Sequence, residues 1–220
     1  MMAEMKTLLW KDFRLSRMCL FAGIMFIVVP YMFMLYPYIR GMRGYDFNNA
    51  WQISTMLSQL AIALLAGNII VCERADHSAS FLAFQGVTRR KIIASKLLIC
   101  TIVFVAICAI STLMSIWLKY SGPGKYEDPR DSQALCYTIG FCFFGSCWLY
   151  SCLLPSPISA IVFGVLSPFF IALALNASSY YFNFVFTPRG FEHCWLALNI
   201  MVGIICLVVG TWYFLWSKES

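Results

Sequence analysis

Six long apolar runs divide this chain and leave little polar sequence between them. Whatever it folds into must therefore present apolar surface to its surroundings. The runs cover Met18 to Ile39, Trp51 to Cys72, Ile92 to Leu118, Leu135 to Leu154, Ile158 to Asn176 and Trp195 to Trp216. Each is close to the ~20 residues that an α-helix needs to cross the hydrocarbon of a bilayer. Hydrophobic residues make up 61% of the chain, charged residues 12%, and the mean hydropathy is +0.76. A soluble domain of this size could not stay in solution with such a balance. The expectation is an all-α membrane protein. Residues 18–220 form one domain of six transmembrane helices, and residues 1–17 form an interfacial helix before it. The first run starts late and lacks a small-residue cleavage site, so no cleaved signal peptide is expected.

Lys and Arg placement predicts the orientation. With the N-terminus cytoplasmic, Lys6, Lys11, Arg14, Arg17, Arg74, Arg89, Arg90, Lys91, Lys96 and Lys218 all fall inside. Fewer fall outside, and of those Lys125 and Arg130 are balanced by Glu127, Asp128 and Asp131. The C-terminus is then cytoplasmic too. The formal net charge of +6 reads as a topology signal, since no basic domain exists to bind nucleic acid.

On a helical wheel, Met5, Leu8, Leu9, Phe13 and Leu15 share one face of the first segment. Lys6, Trp10, Lys11, Arg14 and Arg17 share the other. That is the pattern of a helix lying in the membrane interface, with Trp10 suited to the headgroup level. Asp12 falls inside the apolar arc. It needs a cation or a hydrogen-bond donor there, and Arg89, Arg90 and Lys96 at the base of the third span are the candidates.

The second polar island, residues 73–96, separates the second and third spans. Its opening half carries Glu73, Arg74, Asp76 and His77, then turns apolar at Phe81, Leu82 and Phe84, as suits a short amphipathic helix. Gly86 breaks it, and Thr88 can cap a new helix that begins with Arg89, Arg90 and Lys91. Read alone, this is either an ordinary positive-inside loop or a docking segment for a soluble partner.

The order of residues resembles the first cytoplasmic loop of permease subunits of type-2 ABC exporters. In that family a Glu closes the second span and an apolar pair sits on a short coupling helix. After a small turn an Arg opens the third span, and a Lys follows about two turns later. Glu73, Phe81-Leu82, Arg89 and Lys96 stand in those places. Where the family has a Leu-Pro pair before the turn, this chain has Gln85-Gly86. The string Leu8-Leu9-Trp10-Lys11-Asp12-Phe13-Arg14 is similar to the family's N-terminal connecting helix. In sequence the resemblance covers only about residues 5–17 and 73–96.

It implies the type-2 exporter fold, with residues 73–91 as the coupling segment. Glu73, Arg74, Asp76, His77, Phe81, Leu82, Arg89, Arg90 and Lys96 would serve ATPase coupling, and Trp10, Asp12 and Arg14 would mark the connecting helix. The partners implied are a separate ATPase subunit, which would hold ATP and Mg²⁺, and a second permease subunit, identical or homologous. The place implied is the inner (plasma) membrane of a bacterial cell.

Little else in the chain points to chemistry. No phosphate-cradling GxxxxGK[ST] occurs, so ATP binding by that route is not expected here. Cys136, Cys142, Cys147 and Cys152 are scattered around the fourth span at spacings that do not suit a shared metal, and cysteine is a small apolar residue in lipid. Glu192-His193-Cys194 are adjacent and diverge on a helix. No metal and no cofactor is assigned to the chain. No Asp, Glu, Lys or Arg lies deep in a span, which argues against proton coupling and against intramembrane hydrolysis.

Milder polarity recurs at Gln52, Thr55 and Gln59, which form a stripe on the second span. The stripe either bonds neighbouring helices or lines a path. Ala160 and Gly164 form a small-xxx-small pair, and the resemblance would put their span at a dimer interface. Pro30, Pro37 and Pro168 should kink or end helices. The expected function is the membrane-spanning permease of an ATP-driven exporter, with no enzyme activity of its own. The alternative is a six-span scaffold or sensor subunit without transport activity.

Overall fold

The structure, a computed structural model, describes residues 9–14, 17–18, 21–26, 28–30, 32, 47–71, 88–121, 130–181 and 188–216. Among the described residues regular structure is helical throughout. Helix α1 spans Phe47–Asn68, α2 Arg89–Ser121, α3 Arg130–Leu153, α4 Pro157–Tyr181 and α5 Pro188–Trp216. Residues 9–14 and most of 21–30 are also helical. Four stretches are long and apolar enough to cross a bilayer: Arg89–Ile116, Gln133–Leu153, Pro157–Tyr180 and Gly190–Trp216. The described apolar helices of the first two expected spans, Phe21–Pro30 and Ile53–Asn68, are shorter than that.

Local sequence explains the boundaries. Lys91 and Ile92 donate their N–H groups to the Thr88 carbonyl, so α2 starts where its cap residue stands. α3 stops before Pro155, and Pro157 opens α4 at a position where its missing N–H has no cost. The last helix starts earlier than the expected Trp195, at Pro188, for the same reason.

Pro168 does not end α4, which runs on to Tyr181. The absent Pro168 N–H would have bonded the Gly164 carbonyl, and the Ser167 hydroxyl donates to that carbonyl instead at 2.7 Å.

α3 is the central helix. Within its span 61% of residues are buried inside the protein, against 28%, 22% and 17% for the spans in α2, α4 and α5. Small residues let its neighbours approach: a Cβ at Gly145 would overlap the Gly203 carbonyl of α5, so these two backbones touch. Phe104 of α2 stacks on Phe144 of α3, whose edge meets Trp148. The fully buried Trp148 indole donates to the Thr211 hydroxyl of α5 at 3.3 Å. Ala61, Ile62 and Leu65 of α1 complete this core with Ile99 and Val103 of α2.

The outer faces are the inverse of a soluble protein's. Ile158, Leu173, Val208 and Trp216 are all largely exposed. Apolar area on that scale belongs against lipid. The chain is a membrane-embedded helical protein.

The small-residue pair of α4 requires a correction. Ala160 is fully buried, and a Cβ at Gly164 would overlap Cys147 of α3. Both are used for close packing within the chain, so they are not available as a contact to a second copy.

Candidate functional site: an ionic joint and an apolar cavity

Asp12, on the helical stretch 9–14, is 1% exposed. It turns inward while Trp10 and Phe13 stack on each other on the outside, with ring centroids 6.1 Å apart. Ser95 lies within 2.6 Å of Asp12 Oδ2, and its hydroxyl is also 2.9 Å from the Ile92 carbonyl of its own helix. The Lys96 Nζ is 3.6 Å from Asp12 Oδ1. That separation makes an ion pair but is too long for a hydrogen bond, and Oδ1 accepts no hydrogen bond. The same ammonium donates to the Ile69 carbonyl at 2.8 Å. Ile69 follows the last residue of α1, so Lys96 places a cation where the helix leaves carbonyls unsatisfied and the macrodipole is negative.

One lysine thus joins three elements: the first helix, the end of α1 and the second turn of α2. Of the three cations expected to meet Asp12, it is Lys96 that does so; Ser95 is a partner the sequence did not suggest. At 1% exposure Lys96 is enclosed, so within the fold it holds the joint rather than offering a surface to a soluble partner. A charged pair is thus enclosed at the base of a span, where Asp12 was expected to find its partner. Burying two charges is tolerable because each has a counter-charge and a polar partner.

The remaining proposed coupling residues divide. Arg89 is half-buried, and Arg90 is exposed at the start of α2. Glu73, Arg74, Asp76, His77, Phe81 and Leu82 lie outside the described residues. Arg14 is exposed beside the joint.

The polar stripe does not act as a unit. Thr55 pairs with Ser111 of α2 at 3.0 Å, which is the interhelical use of such a side chain. Gln52 belongs to α1, but its side chain lies outside the described residues. Gln59 is 1% exposed, and neither its amide oxygen nor its amide nitrogen has a hydrogen-bond partner. The side chain lies over Gly140 of α3, where a Cβ would overlap its amide oxygen.

Gln59 also belongs to the wall of a cavity of about 260 Å³ between α1, α3, α4 and α5. The rest of the wall is apolar, including Leu60, Phe143, Val165 and Phe169. Pro168 and Trp195 close one side, and the Trp195 indole donates to the Pro168 carbonyl at 3.4 Å.

Further polar contacts were not legible in the sequence. Thr112 of α2 meets Tyr137 of α3 at 2.7 Å, and Gln133 donates to Ser115. The Ser167 and Ser146 hydroxyls lie 2.8 Å apart, joining α4 to α3. Their only sequence signal is a hydroxyl inside an apolar run, which does not name its partner. No disulfide joins two of the described cysteines, and no group of His, Cys, Asp or Glu among the described residues could hold a metal.

No family model, curated protein or solved structure matches this chain.

Proposed function

We propose that the chain is the membrane subunit of a type-2 ABC transporter, driven by a separate ATPase through residues 73–91. The observation that carries this reading is the Asp12–Lys96 joint. It ties the first helix to the end of α1 and the start of α2, the two helix ends that flank the proposed coupling segment. A push on that segment would therefore be felt by three elements together rather than by a loop alone. In the proposed assembly two permeases enclose the path, with six spans each and both termini cytoplasmic. ATP closes the ATPase dimer, and closure favours one arrangement of the spans over the other, a shift driven by differential affinity for the two states. The aromatic resemblance at Trp10, the Glu73–Lys96 pattern and the four long apolar helices support the reading.

The test is the apolar pair of the coupling segment. Phe81→Ala with Leu82→Ala removes two side chains, each contributing about 2 kcal/mol if fully buried against an ATPase. The permease should still insert, while co-purification of its ATPase and stimulation of ATP hydrolysis should fall together. An undiminished complex would show that these residues are not the dock. If crosslinking from positions 81 and 82 captures no nucleotide-binding protein, the scaffold or sensor reading replaces this one.

A further inference from the structure

We infer that the groove between the N-terminal helical stretches and α2 seats one anionic phospholipid, with an acyl chain along α2 and the phosphodiester headgroup against Arg14, Arg17 and Lys91. The inference does not rest on ATPase coupling and concerns this chain alone.

The shape of the groove suits a hydrocarbon chain. Ile99, Val103 and Ile107 of α2 recur every four residues and are buried, so they form its floor. Phe13 and Ile24 on one side and Ile102 of α2 on the other are exposed on the outer, apolar surface. A Cβ at Gly23 would stand 3.6 Å from Ile107, so the N-terminal stretch runs close beside α2 at that level. The floor follows the helix axis for about 12 Å. The space is about 240 Å³ and opens sideways, toward lipid.

Charge at one end of the groove sets the headgroup. Arg14 follows Phe13 directly, and Arg17 lies on the stretch that leads from Phe13 to Ile24; both are exposed. Lys91 stands eleven residues before Ile102, about three helical turns, and so lies in line with that wall. Among the described residues at this end of the molecule, the carboxylate is Asp12, and it is enclosed against Lys96.

Only one kind of lipid matches both features. Arginine takes a phosphate through paired N–H donors, and cations at a bilayer surface favour anionic lipid. A phosphocholine headgroup brings its own ammonium beside the arginines and cancels that gain. A soluble anion satisfies the arginines and leaves the apolar trough unfilled.

The experiment uses the full chain in phosphatidylcholine nanodiscs doped with a phosphatidylglycerol or a phosphatidylcholine analogue. Both analogues carry the same diazirine-bearing acyl chain, and labelled residues are mapped by mass spectrometry. Label on Phe13, Ile24 or Ile102 is expected to be about tenfold higher from the phosphatidylglycerol analogue at equal mole fraction. Arg14→Gln with Arg17→Gln and Lys91→Gln should abolish that preference and keep a weak label from both. Arg90→Gln removes a charge from the opposite side of α2, about two and a half turns before Ile99, and should leave the preference intact. Ala106→Phe should fill the trough and remove the label from both analogues. Thermal unfolding and size exclusion confirm that each variant is folded before it is scored. Equal label from the two analogues in the parent means surrounding lipid only and overturns the inference. So does label confined to other surfaces, a preference that survives the triple change, or one that Arg90→Gln abolishes equally. Displacement of the label by excess inorganic phosphate overturns it too, because the site would then belong to a soluble anion.

Discussion

At the scale of single residues, the energetics turn on groups enclosed without water. Asp12 and Lys96 face each other as enclosed opposite charges. Removing one takes a counter-charge from the other, so Asp12→Ala or Lys96→Ala should each lower stability by about 3 kcal/mol. Asp12→Leu combined with Lys96→Met should recover most of that loss, because replacing a buried pair with apolar groups is often neutral. Denaturant unfolding in detergent checks this; single and double variants of equal instability would mean that the pair is not coupled. Gln59 and Gly140 form a different kind of couple, steric rather than ionic. Gly140→Ala should cost about 2 kcal/mol, since its Cβ overlaps the amide of Gln59. In a Gln59→Ala background the same change should be nearly silent, and a double-mutant cycle measures the difference.

At the scale of elements, small residues decide which helices touch. Hydrocarbon gives no hydrophobic drive for helices to associate, so contact depends on close packing and on hydrogen bonds. The α3–α5 seam has both, in the Gly145–Gly203 approach and the Trp148–Thr211 bond. Gly203→Leu should force the helices apart, because a Cβ there already meets the Phe141 ring at 2.7 Å. A loss of about 3 kcal/mol is expected, read by thermal unfolding. An unchanged transition would show that α5 does not rely on this contact. In α4, Ser167 compensates for Pro168 locally, which is why a proline that marks a break in the sequence leaves the helix continuous.

For the whole molecule, the proposed orientation fixes which loops face which compartment. An impermeant amine reagent should label Lys125 in intact cells and should not label Lys91. The reverse pattern, mapped by mass spectrometry, would invert the topology and remove the proposed ATPase from the side where residues 73–91 lie.

Hydropathy by itself determined that this is a helical membrane protein and located the last four spans to within several residues. Length and apolarity are local properties, and a bilayer imposes them on each span separately. The sequence also determined that Asp12 requires a partner, because a carboxylate on an apolar arc is costly wherever the helix docks. Tertiary structure alone decided which partner it has, since Arg89, Arg90 and Lys96 share one helix end and only packing selects among them. It likewise separated Thr55 from Gln59, which one stripe had joined. Helical periodicity shows that two side chains share a face but not what lies opposite each of them. Opposite Thr55 stands a hydroxyl; opposite Gln59 stand a glycine and a cavity. Ala160 and Gly164 show the same limit, because a small-xxx-small pair specifies close approach without specifying whether the approaching helix belongs to the same chain.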